Sequence, residues 1–427
     1  MLKAGTACLD ITPPLGTAMP GYFHERRAGA VHDPLFVRAF ALENGGTGIA
    51  VAVCDLIGVK RAYLDRAKAR IAETTGLAPE QVLISCTHTH TGAATGDDAY
   101  TEWLIGRIAD AVRLAWERRE PAEVGWGRAS EERLVFNRRY RMKDGSVQTN
   151  PGIGNPEVVE PAGPIDPDVG VLCLRRPGGG TLGLLANYSL HYVGVPEDAN
   201  TLSADYFGCF STLIQRLRGE SFVAALSNGA CADINNIDVI GQIRPMNDHY
   251  QHTERVAARV AAAAFWAWNE LAFTDDVPLG AAMTEIALKR RPLPSEADRA
   301  RAQEIEARVA ARQPVTMGER AFAARVLRRM DDAPPETRTW VQALRIGDLA
   351  LGSASGELFV ELGLAIKQQS PFAQTMVIEL ANDSVGYLPT RRAYEEGAYE
   401  PEASLFGPGV GEQIVDEAMG LLDGLHG

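Results

Sequence analysis

The chain has 427 residues, of which 46% are hydrophobic and 23% are charged, and its net charge is -13. This is the composition of a globular protein with a sizeable buried core. The acidic balance argues against a nucleic-acid partner and against attachment to anionic lipid through basic patches.

The N-terminus and the cysteines indicate a cytoplasmic location. The first residues lack the charged start, apolar centre and small-residue cleavage site of a secretion signal. Apolar stretches fall short of the ~20 residues that span a bilayer, so we expect no integral membrane segment. The six cysteines are scattered without C-x-x-C spacing, which predicts reduced thiols in the core.

Apolar runs and helical patterns alternate along the chain. The runs that predict strands are Leu35–Leu42, Gly48–Val59, Val82–Ser85, Val169–Leu174, Leu182–Tyr188, Phe222–Leu226, Ala343–Ser353 and Met376–Leu380. The patterns that predict helices are Arg61–Glu73, Thr101–Glu117, Asp205–Arg218, Glu254–Leu271, Leu358–Gln368 and Gly411–Leu425. Several runs are continuous, which suits strands covered on both faces. We therefore predict an α/β fold, with mixed or mainly parallel sheet layers covered by helices, in a single domain over residues 1–427.

One segment departs from this alternation. Residues 294–329 are rich in Ala, Arg and Glu, and Pro314 divides them into two helical patterns. This pattern predicts a peripheral helical hairpin inserted in the domain. It is either a solvated insertion stabilised by its own charge pairs or a cover over a site.

Two histidines one residue apart, His88 and His90, follow the predicted strand Val82–Ser85. Alternate strand residues face the same side, so both imidazoles should leave the strand end together. Histidine is the commonest metal ligand, and a second, unligated imidazole beside an open metal position suits the activation of water. The same spacing also fits a solvated Ser/Thr-rich loop.

Polar clusters follow four other predicted strands. They are Asn187-Tyr-Ser-Leu-His191, Ser227-Asn-Gly-Ala-Cys-Ala-Asp-Ile-Asn235, Ser355-Gly-Glu357 and Asn382-Asp-Ser-Val-Gly-Tyr-Leu-Pro389. Open α/β sheets build their sites at strand ends of this kind.

Together, and in this order, these clusters resemble those of the neutral ceramidases, a family of zinc amidases. The opening Ala4-Gly-Thr-Ala-Cys-Leu-Asp-Ile-Thr-Pro13 and the later Gly21-Tyr22 are similar to that family's start. The resemblance implies a zinc-dependent hydrolase of lipid metabolism that cleaves an N-acyl amide or a related acyl bond, with one Zn²⁺ per chain. The zinc ligands that it implies are His88, His191, Glu357 and Tyr387.

The resemblance also implies catalytic roles. His90 would be a non-ligand that hydrogen-bonds the substrate or moves a proton, and Tyr387 would share the developing negative charge. An arginine of Asn137-Arg138-Arg139 would stabilise the oxyanion; we favour Arg138, with Arg139 as the alternative. The loop Ser227-Asn228-Gly229 would supply backbone or amide donors to the substrate, with Asp233 in support.

The sequence leaves the identity of the substrate open. Ala93-Ala-Thr-Gly-Asp-Asp98 replaces a glycine/proline run of the family and adds charge where an apolar lipid would enter, and we expect no additional C-terminal β domain. The alternatives are a zinc hydrolase of a polar sugar- or amino-acid-like molecule and a non-catalytic metal- or ligand-binding homologue. The partner we expect is a small molecule, and homo-oligomerisation is left open.

Overall fold

A computed structural model describes residues 1–194, 200–241, 248–328 and 333–427. Its strands are β1 Lys3–Asp10, β2 Ala18–Met19, β3 Arg26–Arg27, β4 Ala30–Val31, β5 Phe36–Asn44, β6 Thr47–Cys54, β7 Val82–Cys86, β8 Glu120–Pro121, β9 Glu123–Ser130, β10 Phe136–Asn137, β11 Arg139–Met142, β12 Val147–Thr149, β13 Val158–Pro161, β14 Asp168–Arg175, β15 Thr181–Tyr188, β16 Thr201–Leu202, β17 Val223–Asn228, β18 Ile234–Asn235, β19 Leu279–Lys289, β20 Glu336–Ile346, β21 Leu349–Ser353, β22 Glu357–Leu358, β23 Gln374–Ile378 and β24 Tyr387–Leu388. Its α-helices are α1 Arg61–Thr75, α2 Ala99–Glu117, α3 Asp205–Arg218, α4 His249–Asn269, α5 Glu296–Ala310, α6 Met317–Arg328, α7 Val360–Gln369, α8 Arg391–Glu396, α9 Tyr399–Ala403 and α10 Val410–His426.

Three mixed sheets form the framework. Their strand orders are β7-β6-β5-β1-β8, β17-β15-β14-β9 and β19-β20-β21-β23. Each sheet is mostly antiparallel, but each ends in one parallel pair: β6 with β7, β15 with β17, and β21 with β23. The sheet layers are therefore mixed and not mainly parallel.

The three sheets enclose a common apolar core, and helices cover their outer faces. Phe40, Leu185 and Leu351, one from each sheet, are essentially inaccessible to solvent and belong to the central cluster. Helices α1 and α2 pack on the first sheet, α3 and α4 on the second, and α7 and α10 on the third. The predicted α/β fold with covered sheet layers is confirmed.

The predicted hairpin consists of helices α5 and α6, which share a small apolar cluster of their own that includes Ile305 and Phe322. Ser295 begins α5 through a capping box, in which its hydroxyl accepts from the Asp298 N–H at 3.1 Å. Arg329, the last residue of the predicted segment, lies outside the described residues.

Two predictions about local structure were wrong. The run Ala343–Ser353 is not one strand, because Gly347 at φ +63 reverses the chain between β20 and β21. Cys8 is exposed, so not every thiol lies in the core, although all six cysteines are free. Within the described residues, no helix combines the length and apolarity needed to cross a bilayer.

Candidate metal centre

The candidate site lies where the three parallel strand pairs end. β7 leads to His88, β15 leads to His191, β21 leads to Glu357, and β23 leads to Tyr387. Glu357 and Tyr387 then pair directly, as neighbours in the parallel strands β22 and β24. Each of the three sheets thus contributes at least one polar side chain to the candidate site.

Backbone and amide hydrogen bonds join these strand ends. The Asn382 N–H donates to the Ile84 carbonyl at 2.7 Å, which ties the third sheet to the first. The Asn187 side-chain amide donates to the Val377 carbonyl at 3.0 Å, which ties the second sheet to the third. The bonds hold the site residues in register although they come from separate sheets.

His88 adopts an unusual backbone conformation. Its φ of +67 lies in the left-handed region, which costs a β-carbon-bearing residue free energy. Its N–H donates to the Leu56 carbonyl at 2.9 Å, and its ring Nδ1 lies 2.8 Å from the Ile57 carbonyl. That contact makes Nδ1 a donor, so in the neutral ring Nε2 carries the lone pair, 3.4 Å from Glu357 Oε2. Burial would lower the pKa of His88, but the adjacent Glu357 carboxylate outweighs burial and raises it.

The His88 and His90 rings do converge, with centroids 4.9 Å apart. The predicted cause, alternation along a strand, was wrong. Strand β7 ends at Cys86, so the pair lies on a loop and not on a strand. Thr89, between the two histidines, turns the other way, and its hydroxyl donates to Asp205 Oδ2 at 2.5 Å. This bond fixes the loop with both imidazoles on the site side.

His90 and His191 are in direct contact, with their Nε2 atoms 3.0 Å apart. Burial lowers the pKa of both imidazoles well below the ordinary value, and the nearby positive charge of Arg138 adds to the effect. Both rings are therefore neutral at pH 7, which is the form that binds metals. The ring nitrogens of His88, His90 and His191 lie within 4.8 Å of one another and could hold a metal ion.

The carboxylate of Glu357 faces this histidine cluster. Its Oε2 lies 3.4 Å from His88 Nε2 and 3.7 Å from His191 Nδ1. The same oxygen is buried and accepts no hydrogen bond from the described residues. Burial would raise the pKa of Glu357, but the charges of His88 and Arg138 outweigh it and lower the pKa. A buried carboxylate oxygen that accepts no hydrogen bond from any described group and faces the ring nitrogens of two histidines suits a divalent cation.

Arg138 and Tyr387 form the opposite side of the site. Arg138 Nη2 donates to the Tyr387 hydroxyl at 3.2 Å, and Arg138 Nη1 lies 3.4 Å from His191 Nδ1. Arg138 Nε donates to Glu400 Oε1 at 2.7 Å, so the charge is neutralised on the side away from the histidines. Burial raises the pKa of Tyr387 well above its usual value, and the nearby Glu357 carboxylate adds to the rise, so the phenol is protonated here.

Arg139 points elsewhere. Its guanidinium donates to the Gly397 carbonyl at 2.9 Å, to Glu396 Oε2 at 3.0 Å and to Glu400 Oε2 at 3.2 Å. Of the two arginines that the sequence left as alternatives, Arg138 is the one that contacts His191 and Tyr387.

The loop Ser227-Asn228-Gly229 lies behind the site. The Ser227 hydroxyl donates to the Ala186 carbonyl at 3.0 Å, and Asn228 accepts from the Leu190 N–H at 3.2 Å and donates to the Thr87 carbonyl at 3.3 Å. The Gly229 N–H donates to the Tyr188 carbonyl at 2.9 Å. These groups support the loops that carry His88 and His191, and donation to a substrate stays a prediction.

Asp233 anchors the arginine segment. Its carboxylate accepts from the Asn137 side chain at 2.9 Å and from the Val360 N–H at 2.8 Å, while its carbonyl accepts from the Arg138 N–H at 2.7 Å. It thereby joins the strand before Arg138 to the start of α7.

Sequence reasoning missed Glu400 and Tyr399. Glu400 is inaccessible to solvent and binds both arginines, and the Tyr399 ring packs against Tyr387 with centroids 5.5 Å apart. A buried arginine pair requires a buried acid, but the sequence offers 55 acidic residues and no local pattern that selects Glu400.

The segment Gly21-Tyr22 packs against the other side of the site. The Tyr22 ring meets His90 edge-to-face at 5.7 Å. Gly21, at φ +106, lies so close that an added β-carbon would be 2.8 Å from His90 Nδ1. The role of this segment at the site was not recognised from the sequence.

Comparisons with known proteins gave one kind of match. No family model matches the sequence, and no curated protein sequence matches it. Among solved structures, a neutral ceramidase from Pseudomonas aeruginosa matches with a TM-score of 0.77 and 19% identity, over 99% of this chain and 74% of that chain. A ceramidase complexed with C2 matches with a TM-score of 0.78 and 17% identity, over 100% of this chain and 75% of that chain.

The chain has the fold of the neutral ceramidases. The similarity extends over essentially its whole length, in agreement with the resemblance that the ordered motifs indicate. At this level of identity the likeness concerns the fold, so the chemistry of the candidate site is argued from its residues.

Proposed function

We propose that the protein is a zinc-dependent hydrolase that cleaves an N-acyl amide or a related acyl bond. The observation that carries this proposal is the buried Glu357 Oε2, which has no donor among the described residues and faces the histidine cluster. Arg138 and Tyr387 stand beside it as donors for an acyl oxygen. The similarity of fold to a neutral ceramidase supports an amide as the scissile group.

Four residues would hold the metal in this proposal. His88 would bind through Nε2, since its Nδ1 faces the Ile57 carbonyl, and Glu357 would bind through Oε2. His191 and Tyr387 would complete the set of nitrogen and oxygen donors, which zinc accepts. Bound zinc would supply an activated water and polarise the acyl oxygen.

Three side chains would carry the remaining chemistry. Arg138 keeps its charge at all working pH values, and with the Tyr387 hydroxyl it would stabilise the negative charge that develops on the acyl oxygen. His90 is neutral and partly exposed, so its Nε2 can accept a proton from the attacking water. It would then donate that proton to the amine nitrogen as the amide bond breaks.

Metal analysis and an acyl-amide assay on three variants test the proposal. We expect His88→Ala to lose bound zinc and activity, because it removes a ligand. His90→Ala should keep the zinc and lose turnover by about 10²-fold or more, because it removes the proton carrier. His426→Ala, in the last turn of α10, is the control and should keep both.

Two results would contradict the proposal. Equal zinc loss in His88→Ala and His90→Ala would make His90 a ligand, as the three-histidine grouping allows. Tightly bound zinc without hydrolysis of any acyl amide or ester would point to a metal-binding protein that is not an enzyme.

A further inference from the structure

A cavity of about 600 Å³ lies between helix α6 and the loops beside the candidate metal centre. Its apolar wall includes Phe23, Leu405, the Tyr399 ring and alanines of α6. This volume is within the range of about 300–1,000 Å³ that small-molecule sites occupy. The cavity is therefore large enough for part of a substrate.

Residues that line the cavity contact residues of the candidate metal centre. The Phe23 and Tyr399 rings meet edge-to-face, with centroids 6.2 Å apart, and Tyr399 in turn contacts Tyr387 at 5.5 Å. The Arg138 guanidinium lies 5.8 Å from the centre of the Tyr399 ring. Tyr22, the neighbour of Phe23, packs on His90. One aromatic layer thus separates the cavity from the site of the proposed chemistry.

The cavity is basic in an acidic protein. Arg290, Arg325 and Arg328 line it, and no carboxylate does so in the part of the chain that the structure describes. Arg325 donates to Glu402 Oε2 at 3.0 Å and Arg290 donates to the Thr337 hydroxyl at 2.7 Å. Arg328, at the exposed end of α6, makes no hydrogen bond or ion pair to a described residue.

The neighbouring Arg291 lies within electrostatic range of both Arg325 and Glu402. Burial lowers its pKa, and the charge of Arg325 adds to this effect. A cavity with apolar walls and three guanidinium groups, of which only Arg325 has a carboxylate partner among the described residues, suits a ligand that is apolar along its length and anionic at one end.

We propose that this cavity binds an amphiphilic anion, and that the hydrolase therefore acts on acyl amides that carry a carboxylate, sulfate or phosphate away from the scissile bond. The inference rests on the proposed function and narrows its substrate class. The apolar walls would take the hydrocarbon part out of water, and the arginines would bind the anion. A neutral lipid amide would leave Arg290 and Arg328 without a carboxylate or other anionic partner among the described residues.

Calorimetric titration of the zinc-loaded protein with decyl sulfate below its micellar concentration tests binding without any turnover. Sulfate esters are weak zinc ligands, so the metal should not capture this probe. We expect one site per chain, with binding about tenfold weaker in Arg328→Gln. Arg312→Gln removes the same charge from the same hairpin outside the cavity, and should bind as the unmodified protein does.

Decanol has the same chain length without the charge and should bind at least tenfold more weakly than decyl sulfate. Ala324→Phe, which fills the cavity from α6, should weaken the binding of decyl sulfate, with thermal unfolding confirming that the variant is folded. Equal binding of decanol and decyl sulfate, or equal effects of Arg328→Gln and Arg312→Gln, would overturn the proposal.

Inhibition kinetics test whether the substrate occupies the cavity. Decyl sulfate should compete with an acyl-amide substrate, and non-competitive inhibition would overturn the assignment of the cavity to the substrate. Absence of acyl-amide hydrolysis would instead count against the proposed function, while the calorimetric comparison would still decide whether the cavity binds anions.

Discussion

Arg138 and Arg139 are adjacent in the sequence and both are buried, yet only Arg138 faces the histidines. Glu400 binds both, with Oε1 on Arg138 and Oε2 on Arg139. Arg138 combines this ion pair with contacts to His191 and Tyr387, whereas Arg139 uses its remaining donors on Glu396 and a backbone carbonyl. The two guanidinium groups thus have separable roles, one at the site and one in the structure around it.

We expect Arg138→Lys to lower kcat by about 10²–10³-fold, because an ammonium cannot reproduce the several directed donors of the guanidinium. Arg139→Lys should reduce the free energy of unfolding and leave kcat for the proposed reaction within a few-fold of that of the unmodified protein. Steady-state kinetics beside urea unfolding would separate the two effects. Comparable losses of kcat in two folded variants would refute this division.

At the residue scale, sequence reasoning reached the side chains that form the candidate site but missed several of those that orient them. His88, His191 and Glu357 follow apolar strands within short polar motifs, so the sequence pattern indicated these residues. Glu400 and Asp205 are single acids in ordinary surroundings, and their importance comes from contacts with residues distant in the chain. Such contacts depend on tertiary packing, which no local pattern records.

At the scale of a single element, helix α1 contains a buried titratable side chain, Lys68. Lys68 is 2% exposed, and its Nζ donates to the Pro79 carbonyl at 3.1 Å. Burial lowers the pKa of Lys68 to about 7, against an ordinary value of 10.5. The packing of α1 therefore favours the neutral amine.

This shift predicts a pH dependence of stability with a definite sign. Between about pH 7 and 10.5 the unfolded chain binds a proton at Lys68 that the folded chain has lost, so the free energy of unfolding rises with pH. The contribution is at most about 1.4 kcal/mol per pH unit. Lys68→Met should remove this rise, as measured by urea unfolding at pH 7 and pH 9.

Lys289→Met, at an exposed position of β19, is the matched control and should retain the rise. If the Lys68→Met protein and the unmodified protein gave parallel stability profiles over this pH range, the assignment of a neutral Lys68 would be wrong.

Most long elements were predictable because their apolar patterns are strong. The predicted helix Asp205–Arg218 matches α3 at both ends, and the predicted strand Leu182–Tyr188 differs from β15 by one residue. Strand β19 was missed because most of its residues are partly exposed, so its apolar alternation is weak. The division of the run Ala343–Ser353 depends on a turn of only two residues, which continuous hydrophobicity conceals.

For the whole molecule, the site depends on the mutual position of three sheets. One sheet supplies His88, the second leads to His191, and the third leads to Glu357 and Tyr387. A ligand that binds these residues together binds the folded state and not the unfolded chain. The proposed zinc ion should therefore stabilise the whole fold, beyond any effect on the loops.

We expect thermal unfolding of chelator-treated protein to shift upward when zinc is restored. Free zinc at a hundred times its Kd contributes about 2.7 kcal/mol, which corresponds to about 3 °C in Tm for a chain of this length. His88→Ala should show a much smaller shift, and His426→Ala the full one. An undiminished shift in His88→Ala would mean that the ion binds elsewhere.

The positions of the proposed metal ligands along the sequence also determine when, during synthesis of the chain, the site can form. His88 emerges from the ribosome long before Glu357 and Tyr387, because the chain between them includes the whole second sheet and most of the third. A growing chain thus exposes a histidine pair that cannot yet enclose an ion. Loading of the proposed zinc ion would follow translation through Tyr387, so the maturation of this protein should be sensitive to the supply of zinc at that moment.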